Sequence, residues 1–139
     1  MPIKFSDFED AFLFVNMGEM YTYTAFLCKK TGKIFYISDA GDSDELPEDL
    51  DDDLDNYIDI PHKNEVNLGK PLVLQFLAIY LPDKKKKFNA FFRKKDPYSK
   101  FKNLLEAKGL LDKWYTFKET EQNKVLRKWC KDNAIIVEG

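Results

Sequence analysis

The hydrophobic positions of this chain repeat first with the period of a helix. Phe8, Ala11, Phe12 and Val15 are spaced so that all four fall on one helix face. Residues 6–9, Ser-Asp-Phe-Glu, have the pattern of a capping box, in which the Ser hydroxyl and the Glu carboxylate each accept a hydrogen bond from a backbone N–H. The pattern predicts a short opening helix with the serine as its N-cap.

Two segments rich in Tyr, Thr, Phe and Ile come next, at residues 20–28 and 33–38. Gly32, which lies between them, supplies the left-handed backbone position that a tight turn requires, so the two segments predict a β-hairpin. Residues 57–60 form a third β-rich segment, which Pro61 stops. Because Pro cannot donate to a sheet ladder, we expect this segment to be an edge strand.

The second half of the chain has helical spacing almost throughout. Residues 71–81 are apolar nearly all round and predict a buried helix. A helix with an aromatic stripe follows around Phe88, and another starts at Pro97 and closes at Gly109. The last predicted helix covers residues 111–133, and any break in it would fall in its polar middle, residues 118–122.

These elements predict an α+β fold. A small antiparallel sheet, made of the hairpin plus the edge strand, packs against a helical C-terminal half. The chain has 139 residues, the length of one typical domain, and 44% of them are hydrophobic, which argues against whole-chain disorder. We therefore expect a single domain, residues 1–139.

The cysteines and the apolar runs bear on where the protein works. Cys28 and Cys130 have neither C-x-x-C spacing nor a histidine cluster, so we expect two buried thiols in a reducing compartment. No secretion signal opens the chain, and the longest apolar run, residues 72–81, is too short to span a bilayer. These features predict a cytoplasmic protein without membrane contact.

Charge is unevenly distributed along the chain. Residues 1–60 have a net charge of −11 and residues 61–139 a net charge of +9. Ten carboxylates lie between Asp39 and Asp55 with no Lys or Arg among them. Such asymmetry indicates attraction between the two halves, or a basic surface that meets an acidic partner.

The acidic segment does not have the pattern of an EF-hand loop. That loop needs Gly at its sixth position and a bidentate Glu at its twelfth, and no register here supplies both. Weak divalent binding stays open as an alternative. Leucines recur every fourth residue, so we expect a helix over residues 47–55 that packs Leu50 and Leu54 on the core and turns most of its charge to water.

The basic region, residues 84–102, has the opposite character. Together with Asp83 it holds nine Lys and Arg against two Asp, interleaved with aromatic residues. Nucleic-acid-binding proteins use basic groups for phosphates and rings for bases, but aromatics at helical spacing are also typical of a core face. Four lysines stand at a predicted helix start, where the helix dipole disfavours cations. The candidate binding residues are Lys84, Lys85, Lys86, Lys87, Arg93, Lys94, Lys100 and Lys102.

Catalytic motifs are sparse. His62 is the only histidine and stands just after the predicted edge strand, where a surface position is the simplest expectation. The chain has no G-x-S-x-G, no Gly-rich phosphate loop and no H-E-x-x-H. We therefore predict no catalytic residue, no metal site and no cofactor, and we do not expect an enzyme.

Several spaced motifs resemble a known family. The groups are Tyr98-Ser-Lys-Phe-Lys-Asn, then Gly109-Leu and Trp114-Tyr-x-Phe-Lys, then Trp129 with Asn133 and Ile135. In order and spacing they resemble a mostly bacterial family, uncharacterised protein family UPF0158. The resemblance extends over nearly the whole chain and departs from the family pattern at residues 94–97 and at Cys130. It implies no known activity.

Three functional hypotheses follow. The first is a non-enzymatic binding module that uses the basic region to hold an acidic protein or a nucleic acid, the nucleic-acid version being an alternative in its own right. The second is a small-ligand-binding protein or enzyme with a pocket between sheet and helices, which no sequence motif supports. In a third arrangement the acidic segment covers the basic region. The sequence gives no signal for an oligomeric state.

Overall fold

A computed structural model of the protein describes residues 2–18, 22–38, 44, 46–47, 54–91 and 97–139. The fold is α+β, as predicted, with helices and a three-stranded antiparallel sheet. The chain divides into two compact units. The sheet unit comprises Met1–Val66 together with Leu126–Gly139, and the helical unit comprises Asn67–Val125.

The sheet has the predicted hairpin and edge strand. Its strands are β2 (Tyr23–Cys28), β3 (Ile34–Ser38) and β4 (Tyr57–Asp59), in the order β3-β2-β4, with both pairings antiparallel. Gly32 has a φ of 77°, and its N–H donates to the Cys28 carbonyl at 2.8 Å. The turn therefore uses the left-handed position that only glycine adopts without strain.

The opening helix begins earlier than the capping box predicts. Helix α1 is Phe5–Val15 and Lys4 is its N-cap, and no side-chain hydrogen bond caps it among the described residues. The strand before it, β1 (Ile3–Lys4), pairs in parallel with β5 (Val137–Glu138). This pairing sets where the helix starts, so the prediction of a serine N-cap was wrong.

The acidic segment is described only in part. Its predicted helix over 47–55 and the metal alternative fall mostly outside the described residues. At its end, residues Leu54–Asn56 form a single 3₁₀ turn that leads into β4. Leu54 is 62% exposed, so the prediction that it packs on the core was wrong. Because the backbone becomes extended at Tyr57, the helical spacing of Leu54 and Ile58 does not place them on one helix face.

Asp44 closes the outer edge of β3. Its N–H donates to the Tyr36 carbonyl at 2.8 Å, and its carboxylate Oδ2 accepts from the Tyr36 N–H at 2.8 Å. These two Tyr36 groups are the ones that point away from β2, because alternate residues of a strand face opposite neighbours. Asp44 thus pairs with the edge strand at one residue.

The core of the sheet unit joins α1 to the sheet. Phe14 makes edge contacts with the rings of Tyr23 and Tyr36, at centroid distances of 5.3 and 4.9 Å. Phe8 is fully buried and stacks on Trp129 at 5.5 Å. All four residues of the predicted apolar face of α1, Phe8, Ala11, Phe12 and Val15, are buried.

Both cysteines are buried free thiols, as expected. Burial raises the pKa of Cys130 to about 11. Burial would also raise the pKa of Cys28, but hydrogen bonds from Thr31, Lys30 and Tyr57 outweigh it and lower that pKa. Cys28 is therefore a hydrogen-bonded thiol and not merely a small apolar side chain.

The described residues of the helical unit form four α-helices. They are α2 (Lys70–Tyr80), α3 (Lys85–Phe91), α4 (Pro97–Ala107) and the first part of α5 (Leu111–Asp132), which runs unbroken through its polar middle. Gly109 has a φ of 69°, and the Leu110 N–H returns to the Leu105 carbonyl at 2.8 Å. This is the glycine stop that the sequence predicts for α4. No helix within the described residues has the length and apolar character needed to cross a bilayer.

An aromatic cluster forms the core of the helical unit. Phe101 is fully buried, with ring centroids of Phe76, Phe88 and Trp114 at 6.2, 5.7 and 4.9 Å. The three contacts are all edge-to-face, the arrangement that the ring quadrupole favours. Helix α2 buries only one face in this core: Ile79 is 62% exposed, so the prediction of a helix buried all round was wrong.

Candidate functional site

Three of the predicted binding lysines line one pocket of the helical unit. The pocket has a volume of about 290 Å³ and lies between α3 and α4. We call it the lysine pocket, and its lining residues are Lys84, Lys87, Phe88, Lys100, Asn103 and Leu104.

The spacing of these residues explains why they meet. Lys84 ends the 3₁₀ turn Pro82–Lys84, which leads directly into α3, and with Lys87 and Phe88 it has the spacing i, i+3 and i+4 that Lys100, Asn103 and Leu104 repeat on α4. Residues three and four apart lie on the same face of a helix. Two helix faces of like composition therefore border the pocket, each with polar groups and one apolar side chain.

Phe88 ties the lysine pocket to the core. It lines the pocket but is only 3% exposed, and its ring packs edge-on against Phe101. Since Phe101 also contacts Phe76 and Trp114, the base of α3 is held by rigid aromatic packing. The pocket is thus anchored on the aromatic core of this unit.

The remaining candidate residues are not brought into this pocket. Lys85 and Lys86 are exposed on α3 and are not among the lining residues. Lys102 lies about 200° around α4 from Lys100, and its Nζ is 5.8 Å from the Tyr115 ring centroid. Arg93 and Lys94 lie outside the described residues.

The described aromatic residues of the basic region favour one of the two interpretations that the sequence left open, the core face. Phe88 and Phe101 belong to the core, so neither ring is available to stack on a base. Tyr98 is half-buried, and burial raises its pKa. The side chains of Phe91 and Phe92 lie outside the described part of the chain. For Phe88 and Phe101, spacing by three and four therefore indicated a core face.

The charge of the helical unit favours anions. Its sequence carries 14 Lys and Arg against 6 Asp and Glu, a net charge of +8. A lysine ammonium provides a compact charge with three donors, and the Asn103 amide adds a donor and an acceptor. This set can hold one phosphate or carboxylate group by charge and hydrogen bonding, with Phe88 and Leu104 beneath it.

His62 is not the surface residue that the sequence suggested. It is 9% exposed, and its Nδ1 accepts a hydrogen bond from the Asn64 N–H at 3.2 Å. Burial, with a smaller effect from the nearby Lys63 charge, lowers the pKa of His62 and keeps it neutral near pH 7. It lines a pocket of about 250 Å³ within the sheet unit. The turn after Pro61, which folds His62 back onto Asn64, has no signature in hydropathy.

Sequence reasoning missed two residues of the lysine pocket. Asn103 and Leu104 carry no charge and stand outside the basic region, but their helical spacing from Lys100 would have indicated them. The residues around His62 come from distant parts of the chain and leave no such signal.

No curated protein and no solved structure matches the chain. A family model described as an uncharacterised protein family, UPF0158, matches residues 4–138, which is nearly the whole sequence. The match agrees with the spaced Tyr, Gly-Leu, Trp-Tyr and Asn-x-Ile groups noted above. The chain therefore belongs to the uncharacterised protein family UPF0158.

Proposed function

We propose that the protein is a non-enzymatic binding module whose lysine pocket holds an anionic group of a partner macromolecule. The observation that supports this is the convergence of Lys84, Lys87 and Lys100 on one pocket. Nucleic-acid phosphates are the first partner to test, and acidic protein segments are the second. We further propose a cytoplasmic location, in line with the two free thiols.

The mode of binding follows from the residues present. With Phe88 and Phe101 in the core, recognition rests on charge and on Asn103 instead of base stacking. A nucleic acid bound in this way releases counterions for each neutralised phosphate, so affinity falls steeply with salt and depends little on sequence. The pocket itself fits a single anionic group, and neighbouring lysines of the basic region add to the field around it.

A titration of duplex and single-stranded DNA and RNA at two salt concentrations tests this proposal. The variant is the double substitution Lys87→Gln and Lys100→Gln, which removes two pocket charges from opposite helices. The control is Lys85→Gln with Lys86→Gln, since it changes the net charge equally with exposed α3 lysines that are not pocket-lining. Polyglutamate serves as the probe for an acidic protein partner.

We expect the pocket variant to lose about fivefold in affinity per lysine at low salt, and its slope of log affinity against log salt to fall by about one for each lost phosphate contact. The control should lose much less. Equal losses in the two variants would mean diffuse surface attraction and no pocket. If neither nucleic acid nor polyglutamate binds at low salt, the proposal is wrong.

A further inference from the structure

The pocket beside His62, in the sheet unit, lies where strand β4 no longer pairs with β2. Strand β4 pairs only with Phe26–Cys28, and one more hydrogen bond joins the Ile60 N–H to the Ala25 carbonyl at 2.9 Å. Among the described residues, the first part of β2 has no strand beside it on this side. The pocket of about 250 Å³ occupies this gap, and we call it the sheet pocket.

Backbone alternation directs polar groups of β2 towards this gap. The Cys28 N–H bonds to Lys33, next to β3, whereas the Lys29 N–H bonds to Asn56, next to β4. Odd-numbered residues of β2 therefore direct their N–H and C=O groups to the β4 side. Tyr23, which lines the sheet pocket, is such a residue and lies beyond the reach of β4.

The floor of the sheet pocket is apolar. By the floor we mean its five apolar lining residues, Val15 of α1, Ala25 and Phe26 of β2, Ile37 of β3 and Ile60, which reach it from both faces of β2 because adjacent strand residues point to opposite faces. All of them except Ile37 are 7% exposed or less, so these four are fixed by core packing. Such a floor suits a hydrocarbon or aromatic group.

The rim of the sheet pocket is polar and acidic. Asp59 and Glu65 contribute carboxylates, and Tyr23 and Thr24 contribute hydroxyls. His62 completes the rim as a neutral ring: because Nδ1 accepts from Asn64, the ring proton resides on Nε2. The lining therefore carries two negative charges and no positive one among the residues that form it.

The segment that carries the rim is held in place. The Lys63 N–H donates to Asn16 Oδ1 at 3.0 Å, which joins the 3₁₀ turn Lys63–Val66 to the end of α1. The Glu65 N–H donates to the His62 carbonyl at 2.9 Å. The rim residues are thus positioned before any ligand arrives, which reduces the entropy lost on binding.

We propose that the sheet pocket binds a small organic cation, a protonated amine on an apolar stem. The stem lies on the floor beside Phe26 and Ile37, and the ammonium donates to the carboxylates of Asp59 and Glu65. The volume is below that of typical drug-sized sites, so the ligand has the size of a single ring with a short chain.

Three matched probes test the amine class: 2-phenylethylamine, 2-phenylethanol and phenylacetate, which share the ring and differ in charge. Binding is followed by NMR on protein labelled at Ile and Val methyl groups. The methyls of Val15, Ile37 and Ile60 report on the sheet pocket, and the Ile79 methyls, exposed in the helical unit, serve as the internal control.

We expect 2-phenylethylamine to shift the pocket methyls and to bind about tenfold more tightly than 2-phenylethanol, with phenylacetate the weakest. Asp59→Asn and Glu65→Gln should each weaken amine binding about three- to fivefold and leave alcohol binding unchanged. Asp132→Asn, which alters an exposed carboxylate on α5, is the matched control. Both rim carboxylates are exposed, so these variants should keep the wild-type melting temperature.

Two results on the wild-type protein overturn the proposal. One is that millimolar amine shifts no pocket methyl, and the other is that alcohol or carboxylate binds as tightly as amine. Equal weakening by Asp132→Asn would overturn the assignment to the rim carboxylates. None of these outcomes affects the lysine pocket, which lies in the helical unit.

Discussion

Replacing Phe101 by Ala should destabilise the helical unit severely. The side chain is fully buried and has three edge-to-face partners at 4.9 to 6.2 Å. Truncating a buried Phe costs about 3–5 kcal/mol from lost transfer energy and the cavity that remains. Each aromatic pair adds about 0.5–1.5 kcal/mol beyond burial, so we place Phe101→Ala near the top of that range, at about 4–5 kcal/mol. Phe101→Leu keeps most of the apolar volume and should cost about 1–2 kcal/mol.

Urea denaturation followed by tryptophan fluorescence measures these differences, and Trp114 reports locally because its ring is 4.9 Å from that of Phe101. Ile79→Ala is the matched control: it removes a large apolar side chain from the same unit, but one that is 62% exposed, so it should cost less than about 1 kcal/mol. If Phe101→Ala costs no more than Ile79→Ala, the aromatic cluster is not the core, and the basis for excluding base stacking fails.

Two further predictions concern the titratable groups of the sheet unit. The pKa of folded His62 lies below its ordinary value of 6.5, so the unfolded chain takes up a proton first as the pH falls below about 6.5, and stability decreases from there downward. In His62→Gln this contribution is absent, and urea midpoints at pH 7.5 and 5.5 should differ less than in the wild type; identical differences would contradict the burial of the ring. For the thiols, we expect iodoacetamide to modify Cys28 before Cys130, whose pKa of about 11 and complete burial keep it unreactive until unfolding. Peptide mass spectrometry measures both rates, and equal rates would be inconsistent with the hydrogen bonds to Cys28.

Local patterns predicted much of the fold. The hairpin could be located because β-rich segments flank Gly32, and α4 because Pro97 and Gly109 act at its ends through backbone geometry alone. The pairing of β1 with β5 could not be predicted, since two residues from each end of the sequence produce no periodic signal. Leu54 shows the converse, a regular spacing that tertiary context overrides.

The lysine pocket was predictable in part. The basic region was evident from composition, but composition cannot separate Lys100, which lines the pocket, from Lys102, which does not. Helical phase separates them once the bounds of α4 are known. The sheet pocket could not be predicted at all, because it depends on where β4 ends and on the turn that buries His62.

The two hydrogen bonds between Asp44 and Tyr36 have a consequence for self-association. An uncovered edge strand is a template for a strand from another molecule, and here Asp44 occupies the template at Tyr36, the middle one of the three β3 residues whose N–H and C=O groups face outward. A second copy that displaced Asp44 would also bring together two segments of ten carboxylates each. The edge is thus guarded by charge as well as by pairing, and the charge component is screened over about 10 Å at 0.1 M salt. Resistance to strand-to-strand assembly should therefore depend on ionic strength as well as on the fold. It should be strongest in dilute buffer and weakest in concentrated salt.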